Sequence, residues 1–119
     1  MASESNHKQY AAPAIKLLYC SRGHADYAPV LCGIEEEGVP WELDSIVGKD
    51  AASMAYIASN DSRLGVGLGV DANALALHFD KLEEGRPLFL VPSGASDEQL
   101  RCLGANAARL VKRLPFKPL

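Results

Sequence analysis

Short apolar runs alternate with segments of helical spacing through the first half of the chain. Residues 14–20 form an apolar run of strand length, and residues 41–47 alternate apolar and polar positions as a half-buried strand does. Between them lies an apolar stripe of helical spacing, with Asp26 as its predicted N-cap. Pro29 falls in the first turn, where a missing N–H is tolerated, and Gly38 is placed to end the helix in a left-handed conformation. The pattern therefore predicts a β-α-β unit.

The second half of the chain holds more strands than helices. A modest helical period over residues 49–59 is followed by three segments of strand length, at residues 64–70, 74–79 and 87–91. The turn between the first two of these strands is too short for a parallel crossover, so we predict that they are antiparallel neighbours. A last helix begins at Ser96, which forms a capping-box pattern with the glutamine three residues later. Gly104 is a weak point in this helix by intrinsic propensity.

This order of elements predicts an α/β fold: a three-layer sandwich with a five-stranded, mostly parallel sheet and one antiparallel strand. The β-α-β units require parallel neighbours with right-handed crossovers, and the hairpin inserts the antiparallel strand. A chain of 119 residues fits one domain. We predict a flexible leader over residues 1–12, which are small and polar without a period, and a single domain over residues 13–119.

Composition and charge narrow the class of protein. The net charge is −3, from 12 basic and 15 acidic residues, which disfavours a nucleic-acid partner. The local exception is a group of basic residues near the C-terminus: Arg101, Arg109, Lys112 and Arg113. Three cysteines without a repeating spacing favour reduced thiols, and no secretory signal or membrane-length apolar run is present. We therefore expect a cytoplasmic protein without a membrane partner.

Several patterns that could carry chemistry have simpler structural interpretations. The glycines of residues 65–69 resemble a dinucleotide fingerprint, but a hairpin follows them instead of a helix, so they indicate a strand face kept bare for close helix packing. Cys20, His24 and Cys32 match no zinc spacing, and the cysteines are interpreted as small buried hydrophobic residues. Ser21 and His24 share a loop without a third group to orient the imidazole. His78 is predicted to be structural, so we expect no catalytic or cofactor-binding residue.

Glu35, Glu36 and Glu37 break a local rule. They occupy the last turn of the first helix, where the helix dipole is negative and each carboxylate costs about 0.3–1 kcal/mol at low salt. One interpretation is a solvated acidic end; the other is that a cation from elsewhere, a metal or a basic partner, meets it. Neighbouring side chains on a helix point about 100° apart, so the three cannot all serve one site.

Two segments resemble a known protein family. Residues 30–41 (VLCGIEEEGVPW) and 104–116 (GANAARLVKRLPF) are similar to the small subunit of the reactivating factors for adenosylcobalamin-dependent diol and glycerol dehydratases. Residues 64–82 look like the strand pair of the same family. The resemblance covers the chain from Ala12 onward and implies a fold like that of the dehydratase medium subunit, in the manner of an anticodon-binding domain. The loop of residues 21–27 and the leader have no counterpart that we can match.

The resemblance implies a chaperone instead of an enzyme. In this family a large subunit with an actin-like ATPase core forms a heterotetramer with the small subunit, and the complex releases damaged cobalamin from the inactivated dehydratase by subunit exchange. A glutamate of the GIEEEG block, matched here by Glu36, would bridge a magnesium ion held mainly by the large subunit. Glu35 and Glu37 would lie in the same partner interface. The client's substrate and enclosure of the complex in a microcompartment are left open.

Two alternatives remain at this point. The chain could be the medium subunit of the cobalamin-dependent dehydratase itself, or a shortened relative of it. It could instead be an unrelated flavodoxin-like module that binds a small ligand at the carboxyl ends of its parallel strands, near residues 21–26.

Overall fold

The structure is a computed structural model that describes residues 12–119; nearly all of the predicted leader over residues 1–12 lies outside the described residues. The strands are β1 (Ile15–Cys20), β2 (Trp41–Ile46), β3 (Val66–Val70), β4 (Ala74–Phe79) and β5 (Phe89–Pro92). The helices are α1 (Ala28–Glu36), α2 (Ala51–Asp61) and α3 (Asp97–Lys112). None of these helices is long and apolar enough to cross a membrane.

The five strands form one mixed sheet in the order β2-β1-β3-β4-β5. β1 pairs in parallel with β2 on one side and β3 on the other, with Leu17 opposite both Leu43 and Leu68. β4 is antiparallel to both β3 and β5, as the short turn before it requires. The predicted α/β sandwich, with one antiparallel strand in a mostly parallel sheet, is confirmed.

The main core lies between the sheet and the layer formed by α1 and α3. Alternate residues of β1, β3 and β4 point into it, because successive side chains of a strand face opposite sides of the sheet. The largest of them are fully buried, together with core residues of α1 and α3. These residues are Ile15, Leu17, Leu68, Leu75, Leu77, Ile34 and Leu103.

Helix α2 covers the opposite face of the sheet at very short range. A Cβ on Gly67 would lie 2.2 Å from the backbone nitrogen of Ser59, and one on Gly69 would lie 2.1 Å from the carbonyl of Ala51. Any side chain on β3 at these positions would push α2 away from the sheet. Gly67 and Gly69 therefore serve helix packing, as the sequence predicts. Gly65 does not, because it precedes β3 with φ of 74° and a Cβ there would meet the side chain of Asp80. A strand follows these glycines where a nucleotide site would need a helix.

Two glycines also set the distance between α1 and α3. A Cβ on Gly33 would lie 2.0 Å from the carbonyl of Arg101, and one on Gly104 would lie 1.9 Å from the carbonyl of Val30. Gly104, a weak point by propensity alone, is thus the position of closest contact between the two helices. This crossing fixes α3 beside the C-terminal turn of α1.

The helix ends follow the predicted chemistry with one shift. Ser96 and Gln99 form the complete capping box, and Gly38 has φ of 76° just after α1. The N-cap of α1 is Tyr27 and not Asp26, because the helix begins one residue later than predicted. Asp26 still acts at this terminus, since its Oδ1 accepts the N–H of Ala28 at 2.9 Å.

The segment after α3 folds back along the helix. Asn106 is fully buried and binds the backbone of Lys117 through both ends of its amide, at 2.9 Å to the carbonyl and 2.6 Å from the N–H. Phe116 meets Phe89 of β5 edge to face, with ring centroids 5.4 Å apart. The segment thereby covers the β5 end of the sheet.

Candidate functional site

The three glutamates at the end of α1 point to three different partners. Trp41 Nε1 donates to Glu35 at 3.2 Å, and Arg101 Nη2 donates to Glu36 at 2.5 Å. The Glu37 carboxylate accepts hydrogen bonds from Arg109 Nε at 3.3 Å and from Lys112 Nζ at 2.8 Å. We call these three residues the glutamate triplet. Because the three side chains have different partners, they do not share one site, as the helix geometry predicts.

Glu37 is the anchored member of the glutamate triplet. Its side chain is only 14% exposed, and Lys112 Nζ also donates to its backbone carbonyl at 2.7 Å. The ammonium therefore neutralises both a carboxylate and an orphan carbonyl at the negative end of the α1 dipole. The hydrogen bond from Lys112, with the charge of Arg109, lowers the pKa of the Glu37 carboxyl below its usual value.

Glu36 is the outward member of the glutamate triplet. Its side chain is 53% exposed, and the side chain of its partner Arg101 is 52% exposed. The hydrogen bond that Arg101 donates to Glu36 raises the pKa of Arg101, so this guanidinium stays charged. Glu36 and Arg101 line an open cleft of about 520 Å³ together with Cys32 and Glu35. An exposed ion pair of this kind adds little stability, so either side chain can exchange its partner at small cost.

The cations that meet the end of α1 come from the chain itself. Neither interpretation drawn from the sequence named that source, because it depends on the crossing that sets α3 beside α1. A signal was present, since Arg101, Arg109 and Lys112 are spaced by eight and three residues. At about 100° per residue this spacing places all three on one side of a helix.

The described residues do not bring Cys20 and Cys32 together as metal ligands. Cys20 packs against Met54 beneath α2, whereas Cys32 lies on α1 on the other side of the sheet. Cys32 is exposed, so the prediction that it is buried is wrong; it lies on the outer side of the apolar stripe. Within residues 12–119, no three His, Cys, Asp or Glu side chains are grouped to hold a metal ion.

The loop after β1 carries an aromatic cluster in place of a catalytic one. His24 contacts Tyr19 and Tyr27, with ring centroids 4.9 and 5.3 Å away. Its Nδ1 lies 2.9 Å from the carbonyl of Ala25, so that nitrogen donates to the backbone and Ser21 is not its partner. Burial raises the pKa of Tyr27.

The carboxyl ends of β1 and β3 are the expected ligand position in a flavodoxin-like sheet. Here Asp71 fills that position, since its Oδ2 accepts the first N–H of α2, from Ala51, at 2.9 Å. Its Oδ1 accepts the N–H groups of Asn73 and Ala74, both at 2.7 Å. The chain's own carboxylate thus takes the place that an anionic ligand would need, which disfavours the small-ligand hypothesis.

His78 is buried completely on the α2 face of β4, as a structural residue would be. Its Nδ1 accepts the N–H of Phe79 at 3.0 Å, and its ring meets Tyr56 edge to face. Its Nε2 has no hydrogen-bond partner among the described residues. His78 therefore packs between β4 and α2, in the position that a structural residue would take.

Comparison with known proteins bears on the whole domain. The family model for the dehydratase medium subunit matches residues 12–117. The chain belongs to this family. Within it, the propanediol dehydratase-reactivating factor small subunit of Salmonella typhimurium is 37% identical over 116 residues, which cover 98% of this chain and 97% of that protein.

Two solved structures of dehydratase-reactivating factors share the fold. One, the diol dehydratase-reactivating factor complexed with ADP and Mg²⁺, is 35% identical with a TM-score of 0.85, covering 91% of this chain and 100% of that one. The other, a glycerol dehydratase reactivase, is 39% identical with a TM-score of 0.82, covering 90% and 98%. These relatives place the chain among the reactivating-factor small subunits of the dehydratase medium subunit family, which decides against the dehydratase subunit itself.

Proposed function

We propose that the chain is the non-catalytic small subunit of a chaperone that reactivates adenosylcobalamin-dependent diol or glycerol dehydratase. It binds a large actin-like ATPase subunit in a heterotetramer, and the complex releases damaged cobalamin by exchanging subunits with the client enzyme. The named relatives support this role, because a small subunit implies a large one and one neighbour carries ADP and Mg²⁺. Cobalamin concerns this chain only through the client.

The proposed contact with the large subunit centres on Glu36. The exposed position of Glu36 at the end of α1, beside an open cleft, is the observation that carries the proposal. A carboxylate is a suitable ligand for magnesium, a hard cation that prefers oxygen. Glu36 alone is not a metal site, so the remaining ligands would come from the large subunit, and Arg101 would have to release the carboxylate first.

The other two members of the glutamate triplet would frame this contact. Glu35 lies beside Glu36 on the same cleft and binds Trp41 of β2. Glu37 would act from within, because Arg109 and Lys112 use it to hold the end of α1 against α3. The interface would then present the Glu36 carboxylate, once Arg101 has released it, on a rigid support.

The test compares Glu36→Gln with wild type in assembly with the large subunit. We expect the Kd measured by calorimetry in Mg²⁺ to rise roughly tenfold or more, as is usual when a group that supports a metal site is lost. In EDTA the two proteins should bind alike, because the metal link is absent from both. Glu84→Gln is the matched control, since Glu84 is an exposed carboxylate far along the chain from the triplet.

Arg101→Gln separates the metal role from the ion pair. If Glu36 matters only as the partner of Arg101, both variants should weaken assembly equally, with or without Mg²⁺. If Glu36 binds the metal, Arg101→Gln should leave assembly in Mg²⁺ intact or tighter. Equal binding of Glu36→Gln and wild type in Mg²⁺ would overturn the assignment of Glu36.

A further inference from the structure

Within residues 12–119, the middle of strand β2 has little cover on either face, whereas its end residues Trp41 and Ile46 pack against the core. Its extensive contacts are with β1, whereas α1 and α3 on one side and α2 on the other lie over the inner strands. Four of its six residues are exposed. Leu43 is 37% exposed, and Val47, which comes directly after the strand, is 54% exposed. An antiparallel or edge strand with alternating polarity normally buries one face, whereas the middle of β2 buries neither against the residues that the structure describes.

The outer edge of β2 also offers backbone groups that no other strand of the described residues pairs with. Ile15 N donates to Pro40 O at 2.9 Å and Ser21 N donates to Ile46 O at 3.0 Å. Residues that bond to one neighbour alternate along a parallel strand, so even-numbered residues face β1 and Trp41, Leu43 and Ser45 face outward. Asp44 Oδ1 accepts the N–H of Ser45 at 2.8 Å, which leaves the Leu43 amide at the centre of the open edge.

The opposite edge of the sheet has the usual protection. β5 has only four residues, ends at Pro92 and is covered where Phe116 contacts Phe89. Proline, charged side chains (above all lysine), short length and a covering segment are the common devices that prevent strand addition at an edge. The charges on β2 are both carboxylates, Glu42 and Asp44, which would oppose an acidic strand and not a basic one. β2 has six residues, with neither proline nor lysine among them.

The side chains of β2 define the chemistry of a complementary strand. Glu42 and Asp44 lie on the face shared with Lys16 and Leu18 of β1, and Leu43 lies on the opposite face with Leu17. A strand added beside them would place basic residues next to the carboxylates and an apolar residue next to Leu43. A second copy of β2 would instead set acidic residues against each other, which is unfavourable.

We propose that an extended segment of the large subunit, with basic and apolar residues in alternation, adds a sixth strand to the free edge of β2. The identity of the partner rests on the proposed function; the site itself does not. The edge is continuous with the glutamate triplet, because the side chain of Trp41, the first residue of β2, binds Glu35. One partner surface could therefore engage Glu36 and β2 together.

The test follows the Leu43 amide by hydrogen exchange, with the chain alone and assembled with the large subunit. Strand addition should slow exchange at Leu43 at least tenfold, while the amides of β3, already in the ladder, change little. Leu43→Pro removes the outward N–H of residue 43 and breaks no hydrogen bond to β1. It should raise the Kd for the large subunit at least tenfold. Leu43→Val keeps both the N–H and an apolar side chain and should bind within about threefold of wild type.

A charge-reversal variant tests the proposed complementarity between the β2 carboxylates and a basic partner strand. Glu42→Lys should weaken assembly and reduce its dependence on salt, whereas Glu84→Lys should do neither. Circular dichroism and thermal unfolding check that each variant is folded. If Leu43→Pro does not fold, the exchange of the wild-type Leu43 amide still decides.

Each outcome bears on a different proposal. A complex in which the Leu43 amide exchanges as fast as in the free chain overturns strand addition and leaves the proposed function standing. Failure of wild type to bind the large subunit at all overturns both. A concentration-dependent homodimer that protects Leu43 and is abolished in Leu43→Pro would replace the large subunit with a second copy and overturn the choice of partner.

Discussion

The crossing of α1 and α3 and the free edge at β2 are opposite extremes of the same domain. At the crossing, a Cβ on Gly104 would lie 1.9 Å from a backbone oxygen, so the two helices touch through their main chains. At β2, side chains as large as Leu43 and Val47 have no cover over a third to a half of their surface. The first region gives the domain its rigidity, and the second is available for binding. Substitutions should therefore divide into those that unfold the chain and those that change only its assembly.

The largest expected effect is at the crossing. Replacing glycine by alanine inside a helix normally stabilises by about 1 kcal/mol. Gly104→Ala should reverse that sign and destabilise by about 3 kcal/mol or more, because the helices must move apart and open the core. Urea unfolding followed by circular dichroism measures it.

Gly94→Ala is the control for this substitution, since a Cβ there would have no atom within 4 Å. It should change the free energy of unfolding by less than about 0.5 kcal/mol. A Gly104→Ala protein as stable as the control would show that the crossing tolerates a wider separation than the structure describes.

A smaller effect is expected where the C-terminal segment is fastened to α3. Asn106→Ala removes both hydrogen bonds to Lys117 from a fully buried position, which should cost about 1–3 kcal/mol. Exchange of the Lys117 amide should accelerate in the same variant. Asn60→Ala is the control, because Asn60 makes an exposed bond to Tyr56 O and its loss should matter little. Slow exchange at Lys117 in Asn106→Ala would mean that other contacts hold the segment.

The smallest effect depends on pH and lies at the anchored member of the glutamate triplet. Lys112 and Arg109 lower the pKa of Glu37 from its ordinary 4.5, so the ionised form is favoured in the folded state. This stabilisation is complete above pH 4.5 and is lost as the pH falls through the lowered value. Glu37→Gln should therefore have a lower Tm than wild type at pH 7, and the difference should shrink on acidification. Glu84→Gln should show no such trend; a constant difference for Glu37→Gln would contradict the ion-pair account.

The sequence contained enough to predict the fold because its strongest signals are local. The three-residue turn before β4 allows only a hairpin, the pair Ser96 and Gln99 marks a helix start, and Gly67 and Gly69 can face only a close neighbour. Each of these depends on a few adjacent residues and on backbone geometry. The family resemblance in residues 30–41 and 104–116 added the functional class.

The sequence could not show how separate segments meet. The glutamate triplet was singled out, but its partners Arg101, Arg109 and Lys112 lie far along the chain and are brought to it by the glycine crossing. The exposure of Cys32 was missed because the apolar stripe of α1 does not reveal where the cover of α3 ends. The alternation in residues 41–47 predicts a half-buried strand, and only the placement of the helices shows that the middle of β2 lies beyond their cover.

The dependence of α1 on α3 has a consequence for biosynthesis. Helix α1 emerges from the ribosome well before the helix whose backbone it must touch, and until then Glu36 and Glu37 have no basic partner from α3. Pairing elements so distant in sequence closes a long loop and is a late step in folding. The acidic end of α1 therefore takes its final form only once the last helix has docked, so a partner that recognises this end would select completed chains over nascent ones.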